Sequence, residues 1–162
     1  MINTVPTLQI FLPSQDSTAH LGAWLAPRLV AGDVVLLSGS IGAGKTCLAR
    51  SIIQTRLGRA EDVPSPTFTL IQTYEAPDVE LWHADLYRLS HPDEVFELGL
   101  EVAFNTAICL IEWPERMGSL LPQDAIAITL FHAEDGRRLT ISAPNRPRLI
   151  ADLQNEWGAA FV

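Results

Sequence analysis

The chain contains the glycine-rich segment GSIGAGKT, which reads Gly39-Ser40-Ile41-Gly42-Ala43-Gly44-Lys45-Thr46. It fits the spacing G-x-x-x-x-G-K-[ST] at every fixed position. Lys45 is the only lysine in a chain of 162 residues with a net charge of −8, because the remaining basic residues are all arginines. An acidic protein therefore places its one ammonium group inside a glycine-rich turn.

The segments on either side of this glycine loop (residues 39–46) indicate regular structure. Residues 34–37 form the continuous apolar run VVLL, which is typical of a strand covered on both faces. Residues 45–57 carry apolar side chains at helical spacing, and Gly58 stands where a helix would end. The sequence predicts the order strand, glycine loop, helix.

The spacing of this loop serves close contact with phosphate. Glycines let the backbone curl so that successive N–H groups converge on phosphate oxygens, and the helix that follows directs its positive end to the same anion. Lys45 would reach the β- and γ-phosphates, and the Thr46 hydroxyl would bind Mg²⁺. The pattern predicts a P-loop that binds a triphosphate with Mg²⁺; the alternative is a glycine-rich turn with a solvated lysine.

Two carboxylates stand where a P-loop site needs an acid to orient Mg²⁺, at the ends of predicted strands. Glu112 follows the apolar run 107–111, and Asp85 ends the stretch 80–85. Either could instead be a solvated acid. Thr67, in the segment SPTF, lies where many P-loop proteins sense the γ-phosphate, but a proline turn followed by a strand-initiating threonine explains it equally well.

The remaining pattern predicts an α/β protein with a single P-loop domain over residues 1–162. We expect a P-loop NTPase-like three-layer fold with a mixed central sheet and a C-terminal hairpin plus helix. Extended segments are predicted at residues 7–12, 69–74, 79–85, 107–111, 126–131 and 138–143. Further helices are predicted from Ser14 or Asp16 to about Leu29, from residue 91 to about 98, and over residues 146–157.

Composition limits the possible functions. With 48% hydrophobic and 19% charged residues, the chain has an ordinary globular composition. Its apolar runs are too short to cross a bilayer and no leader opens the chain, so we expect a cytoplasmic protein without membrane contact. The acidic charge argues against direct binding of DNA or RNA by this chain. If RNA is involved, a partner would hold it.

Five motifs in order resemble those of the bacterial TsaE (YjeE) family. They are GSIGAGKT, PSPTFTL at 64–70, HADLYRL at 83–89, ELGL at 97–100 and IEWPE at 111–115. Compatible separations extend the resemblance over about residues 10–143. It implies an ATPase that acts with the partner proteins TsaD and TsaB to make N6-threonylcarbamoyladenosine (t6A) at position 37 of tRNA, with tRNA reached through the partner complex.

The resemblance also assigns roles. The glycine loop would hold the phosphates, Thr46 and Glu112 would bind Mg²⁺, and Asp85 would be a second acid near the metal or the attacking water. Thr67 would act as a switch that responds to the nucleotide, and Trp113 would line one side of the site. The catalytic residues would be Lys45, Asp85, Glu112 and Thr67.

Several residues near the motifs keep two interpretations. The TsaE family usually has a residue with a hydroxyl group after the loop threonine, where this chain has Cys47. We expect the backbone N–H of Cys47 to contribute to binding, while its thiol is a weak donor. No role is assigned to Tyr87. Arg88 would either stabilise the charge of a transferred phosphoryl group or contact a partner, and a surface salt bridge is a further alternative for it. His83 is interpreted as structural rather than as a general base.

Other functions remain open at this point. A GTPase would need the guanine-reading N-K-x-D, which a chain whose single lysine is Lys45 cannot contain. A small-molecule kinase would need an arginine-rich acceptor site and a lid, which the arginines near the loop helix do not obviously supply. A nucleotide-gated binding subunit with little hydrolysis is a further alternative.

Overall fold

The computed structural model describes residues 5–66 and 69–161. Its helices are α1 (Gln15–Leu25), α2 (Lys45–Leu57), α3 (Glu94–Glu97), α4 (Leu100–Thr106) and α5 (Pro147–Trp157), with 3₁₀ turns at Ala26–Arg28 and Pro114–Leu120. Its strands are β1 (Thr7–Leu12), β2 (Val34–Gly39), β3 (Ile71–Glu75), β4 (Glu80–Asp85), β5 (Ile108–Glu112), β6 (Ile126–Ala133), β7 (Gly136–Ser142) and β8 (Ala160–Phe161).

The strands form one mixed eight-stranded sheet in the order β3-β4-β5-β2-β6-β7-β1-β8. The central strands β4, β5, β2 and β6 run parallel, and the remaining neighbours pair antiparallel. Parallel strands end at the same edge of a sheet, so β2, β4 and β5 all point their carboxyl ends to one side. The predicted mixed sheet and the hairpin β6–β7 are confirmed.

Helices cover the sheet on two faces, as the alternation along β2 demonstrates. Val35 and Leu37 belong to the larger apolar cluster, which contains core residues of α1, α2 and α5. Val34 and Leu36 belong to a second cluster, which contains those of α3 and α4. Successive side chains of a strand point to opposite faces, so the two clusters lie on opposite sides of the sheet.

The structure differs from the predicted elements at several ends. Helix α1 stops at Leu25 and tightens into a 3₁₀ turn, because Pro27 has no N–H to donate and its ring disfavours a continued α-helix. The predicted cap at Ser14 is present, since its hydroxyl accepts from the Ser17 N–H at 3.2 Å. Helix α4 and strand β8 were not predicted. No helix in the described parts of the chain has the length and apolar character that spanning a membrane requires.

Candidate functional site

A cavity of about 380 Å³ lies at the carboxyl ends of β2, β4 and β5. Its walls come from the glycine loop, the start of α2, the segments that follow β4 and β5, and Ser65. The lining residues are Ile41, Gly42, Gly44, Lys45, Thr46, Cys47, Ser65, Asp85, Tyr87, Arg88, Glu112 and Trp113. Ligands of α/β proteins bind in the crevice outside the carboxyl ends of the strands, so the topology itself favours a binding site here.

The glycine loop is curled tightly against the β6–β7 hairpin. Gly39 has a φ of 139°, and a Cβ there would lie 2.5 Å from the Leu130 carbonyl oxygen. Gly44 caps α2 with a φ of 112°, and a Cβ there would lie 2.7 Å from the Arg137 guanidinium. Residues with a side chain rarely adopt such φ values. At Gly39 a Cβ would also clash with backbone, whereas the flexible Arg137 side chain near Gly44 can move aside. Glycine is therefore required at each end of the turn.

The Lys45 ammonium is buried under this loop. Its Nζ donates to the carbonyl oxygens of Gly39 at 2.6 Å and Ser40 at 2.9 Å. It also lies 4.3 Å from the centre of the Trp113 ring, within the range of a cation–π contact. Two backbone carbonyls and the face of an aromatic ring thus hold the Lys45 ammonium at the N-terminus of α2.

Burial and charge act on Lys45 in opposite directions. Desolvation lowers the pKa of Lys45 below its ordinary value, and this effect outweighs the carboxylates of Glu112, Asp85 and Glu115, which raise the pKa. A partly dehydrated ammonium gains more from contact with an anion than a solvated one does, because the effective dielectric constant is lower. The site therefore favours a negatively charged ligand.

Glu112, the last residue of β5, connects the loop to β4. Its Oε1 accepts a hydrogen bond from the Thr46 hydroxyl at 2.9 Å, and its Oε2 lies 2.6 Å from Nε2 of His83. The side chains of His83 and Glu112 are only 0% and 3% exposed. Both carboxylate oxygens therefore have a defined partner, and one of these partners is the hydroxyl that the glycine loop presents.

Asp85, the last residue of β4, lies beside Glu112 in the parallel register of β4 and β5. It is 6% exposed, and its Oδ1 accepts from the Tyr87 N–H at 3.1 Å. Two buried carboxylates consequently meet at one edge of the sheet, next to the ammonium of Lys45. Such clustering of ionisable groups in a cleft is typical of functional sites.

Aromatic side chains close one side of the cavity. Trp113 adopts the left-handed conformation at φ 59°, and its N–H donates to the Leu37 carbonyl at 3.3 Å, which ties it to β2. Its ring lies 4.9 Å from that of Tyr87, centre to centre. The Arg116 guanidinium lies 5.9 Å from the Tyr87 ring. The wall next to Lys45 is thereby fixed by backbone and ring contacts.

Most of the predicted site residues meet in this cavity, while Thr67 lies outside the described residues. Gly39 and Ser40 contribute the carbonyls that hold Lys45, and Ala43 is buried behind the loop. His83 is predicted to be structural, and the structure places its side chain in direct contact with Glu112. The sequence signal is the H-x-D spacing, which puts His83 on the same face of β4 as Asp85, because residues two apart in a strand share a face.

The chain is similar to known proteins of one family. The model of the family "Threonylcarbamoyl adenosine biosynthesis protein TsaE" matches residues 12–140. The tRNA threonylcarbamoyladenosine biosynthesis protein TsaE of Rickettsia bellii is 41% identical over 131 residues, which cover 81% of this chain and 91% of that protein. The protein of the same name from Haemophilus influenzae is 35% identical over 143 residues, covering 85% and 90%.

A solved structure extends the likeness to the fold. The crystal structure of Bacillus subtilis YdiB matches with a TM-score of 0.80 and 28% sequence identity. The match covers 96% of this chain and 99% of that one. The mixed sheet and its helices are therefore shared over nearly the whole length of both proteins.

Proposed function

The chain belongs to the TsaE family, and we propose that it is an ATPase of tRNA threonylcarbamoyladenosine biosynthesis. It binds ATP and Mg²⁺ in the cavity and acts on TsaD- and TsaB-type partners, which hold the tRNA. The observation that carries the proposal is the buried Lys45 ammonium, held by two loop carbonyls beside two buried carboxylates. A net charge of −8 supports an indirect contact with tRNA.

The glycine loop suits a phosphate chain. Loop amides and the positive end of α2 attract anions, and Gly42, with a φ of 79° and open space where a Cβ would stand, leaves room for one to approach. When a triphosphate enters, Lys45 exchanges its carbonyl contacts for phosphate oxygens, which carry full charge and accept stronger hydrogen bonds. The cavity volume of about 380 Å³ is within the range of small-molecule sites.

The donor set fits Mg²⁺. Thr46 and Glu112 present a hydroxyl and a carboxylate 2.9 Å apart, and Asp85 supplies a second carboxylate nearby. Such hard oxygen donors are the ones Mg²⁺ prefers. Among residues 5–66 and 69–161 no group of three or more His, Cys, Asp or Glu side chains could hold a metal alone. This agrees with an ion that arrives with its nucleotide, since Mg²⁺ usually takes one or two carboxylates plus substrate phosphates.

The role proposed for each residue follows from its position in the cavity. Lys45 and the loop amides bind the phosphates, Thr46 and Glu112 hold the metal, and Asp85 orients the attacking water or completes the metal shell. A Mg²⁺ ion held by Thr46 and Glu112 would supply positive charge that stabilises the phosphates during transfer. Catalysis of this kind depends mainly on positioning and electrostatics, which a rigid strand edge with buried acids supplies.

The test is release of phosphate from radiolabelled ATP and GTP, with and without the partner proteins. We expect hydrolysis of ATP that the partners accelerate and that Lys45→Ala abolishes. Arg148→Ala is the matched control, because it removes an exposed cation from α5 and should leave the rate unchanged. Phosphate arriving on a third molecule would replace the ATPase with a kinase, and tight binding without turnover would identify a nucleotide-gated subunit.

A further inference from the structure

We infer that His83 is a positioning residue for Glu112. The Nε2–H of His83 fixes Oε2 of Glu112, so that Oε1 of Glu112 and the Thr46 hydroxyl present one preformed face to Mg²⁺. The inference rests on the proposed function, since it concerns how that site binds its metal. It assigns no proton transfer to His83. The side chain acts through Glu112 without touching the nucleotide.

The geometry of the sheet brings the two residues together. His83 pairs in register with Leu110, and Asp85 pairs with Glu112, two residues further along the same parallel strands. These four residues therefore point to the same face, which is the face that α2 covers. From there the imidazole reaches diagonally to Glu112, and Nε2 comes within 2.6 Å of Oε2. That separation is short, as expected of a hydrogen bond to a carboxylate.

The surroundings of the imidazole decide which ring nitrogen carries the hydrogen. A carboxylate only accepts, so Nε2 must donate to Oε2. The other nitrogen, Nδ1, is buried and has no hydrogen-bond partner within the described segments. A hydrogen on Nδ1 would be a buried donor without an acceptor, which costs roughly 1–3 kcal/mol. The structure therefore assigns the tautomer with hydrogen on Nε2.

This hydrogen bond restricts what Glu112 can do. A glutamate side chain has three rotatable bonds, and one contact to Thr46 would leave the plane of its carboxylate free to turn. The second contact, to a fully buried ring, fixes both oxygens. Partners that orient a metal ligand in this way typically change metal affinity by about 10–100-fold when they are removed.

The experiment compares His83→Leu, which keeps an apolar volume and loses the donor, with His83→Gln, whose amide places a donor near the position of Nε2. ATP binding is measured by calorimetry across a Mg²⁺ series and in EDTA. We expect His83→Leu to raise the Mg²⁺ concentration for half-maximal binding by about 10–100-fold. Binding in EDTA should stay within about twofold, and His83→Gln should recover most of the loss.

Glu112→Gln is the reference variant that separates the two levels of the proposal. If the wild-type protein binds no ATP under any condition, the proposed function and this inference both fail. If Glu112→Gln loses the Mg²⁺ dependence while His83→Leu behaves like wild type, only the inference is overturned. Equal weakening of binding with Mg²⁺ and with EDTA would also overturn it, because that result reports general damage to the site.

A measurement on the wild-type protein covers the case in which His83→Leu does not fold. Nitrogen-15 NMR of the imidazole distinguishes the two tautomers directly. We expect the hydrogen of His83 on Nε2, slow to exchange with solvent, both before and after Mg²⁺ and ATP are added. A neutral ring with its hydrogen on Nδ1 and none on Nε2 would overturn the inference without any substitution.

Discussion

A cavity lined by charged side chains lies at each end of strand β2, but the charged groups have different partners at the two ends. At the carboxyl end lies the candidate site, with Lys45 among buried acids. At the amino end lies a cavity of about 240 Å³, whose lining includes Asp33, Asp124, Asn145 and Arg146. Both ends bring residues together from distant parts of the chain, so proximity alone does not separate a binding site from a structural cluster.

The difference lies in what each charged group contacts. At the amino end, Arg146 forms an ion pair with Asp33 and donates to the Arg28 carbonyl at 2.7 Å, while Asp33 also accepts from the Val30 N–H at 2.8 Å. That cluster satisfies itself and joins α5 to the loop before β2. At the carboxyl end, Lys45 rests on neutral carbonyls although carboxylates stand nearby. A cation held in this way is poised for an external anion.

The largest effect is expected from Asp85→Asn at the carboxyl end. This change keeps the size of the side chain and removes the negative charge that, under the proposed function, orients the attacking water or the metal. We expect ATP hydrolysis with the partners present to fall by about a hundredfold or more, whereas ATP affinity should change only a few-fold, because Lys45 and the loop amides remain. Steady-state turnover and calorimetry measure the two quantities separately.

Asp124→Asn is the matched control for that substitution. It makes the same chemical change in the cavity at the amino end, where Asp124 accepts from Asn145 at 2.9 Å. Turnover should be unaffected. Equal rates for Asp85→Asn and Asp124→Asn would show that the buried acid of β4 takes no part in hydrolysis, and the contrast between the two ends of β2 would lose its functional meaning.

An intermediate effect is expected from Arg146→Ala at the amino end. Asp33, whose side chain is 13% exposed, would lose its charged partner, and the Arg28 carbonyl would lose a donor. We expect the free energy of unfolding in urea to fall by roughly 1–3 kcal/mol, with binding of ATP and Mg²⁺ unchanged. In contrast, Arg148→Ala should alter stability by less than about 0.5 kcal/mol. Loss of nucleotide binding in Arg146→Ala would mean that the two ends are coupled.

The sequence predicts the carboxyl end better than the amino end for a physical reason. The spacing from Gly39 to Thr46 is local, and a strand followed by a tight turn and a helix can be recognised within about twenty residues. Glu112 was identified because it ends an apolar run. The ion pair between Asp33 and Arg146 joins residues 113 positions apart, and no local pattern announces it.

Other features required the register of the sheet or tertiary packing. The contact of His83 with Glu112 exists only because β4 and β5 pair in parallel with the observed alignment. Helix α4 has seven residues and includes Val102, Asn105 and Thr106, which are weak helix formers. It is stabilised instead by burial of Leu100 and Ala103 in the second apolar cluster. Tertiary contacts of this kind cannot be read from periodicity in a short segment.

The smallest expected effect is on the labelling rates of the two cysteines, one near each end of β2. Cys47 lines the cavity, whereas Cys109 is buried in β5 beside Val34 and its N–H donates to the Asp33 carbonyl. Burial raises the pKa of the Cys109 thiol to about 12, so at pH 8 only about one in ten thousand of these groups is the reactive thiolate. We expect iodoacetamide at pH 8 to label Cys47 alone, and ATP with Mg²⁺ to slow that labelling several-fold. Mass spectrometry of the digested protein locates the label. A labelling rate at Cys47 that ATP leaves unchanged would contradict the assignment of the nucleotide to the carboxyl end of β2. Labelling of Cys109 would contradict the burial of its thiol in β5.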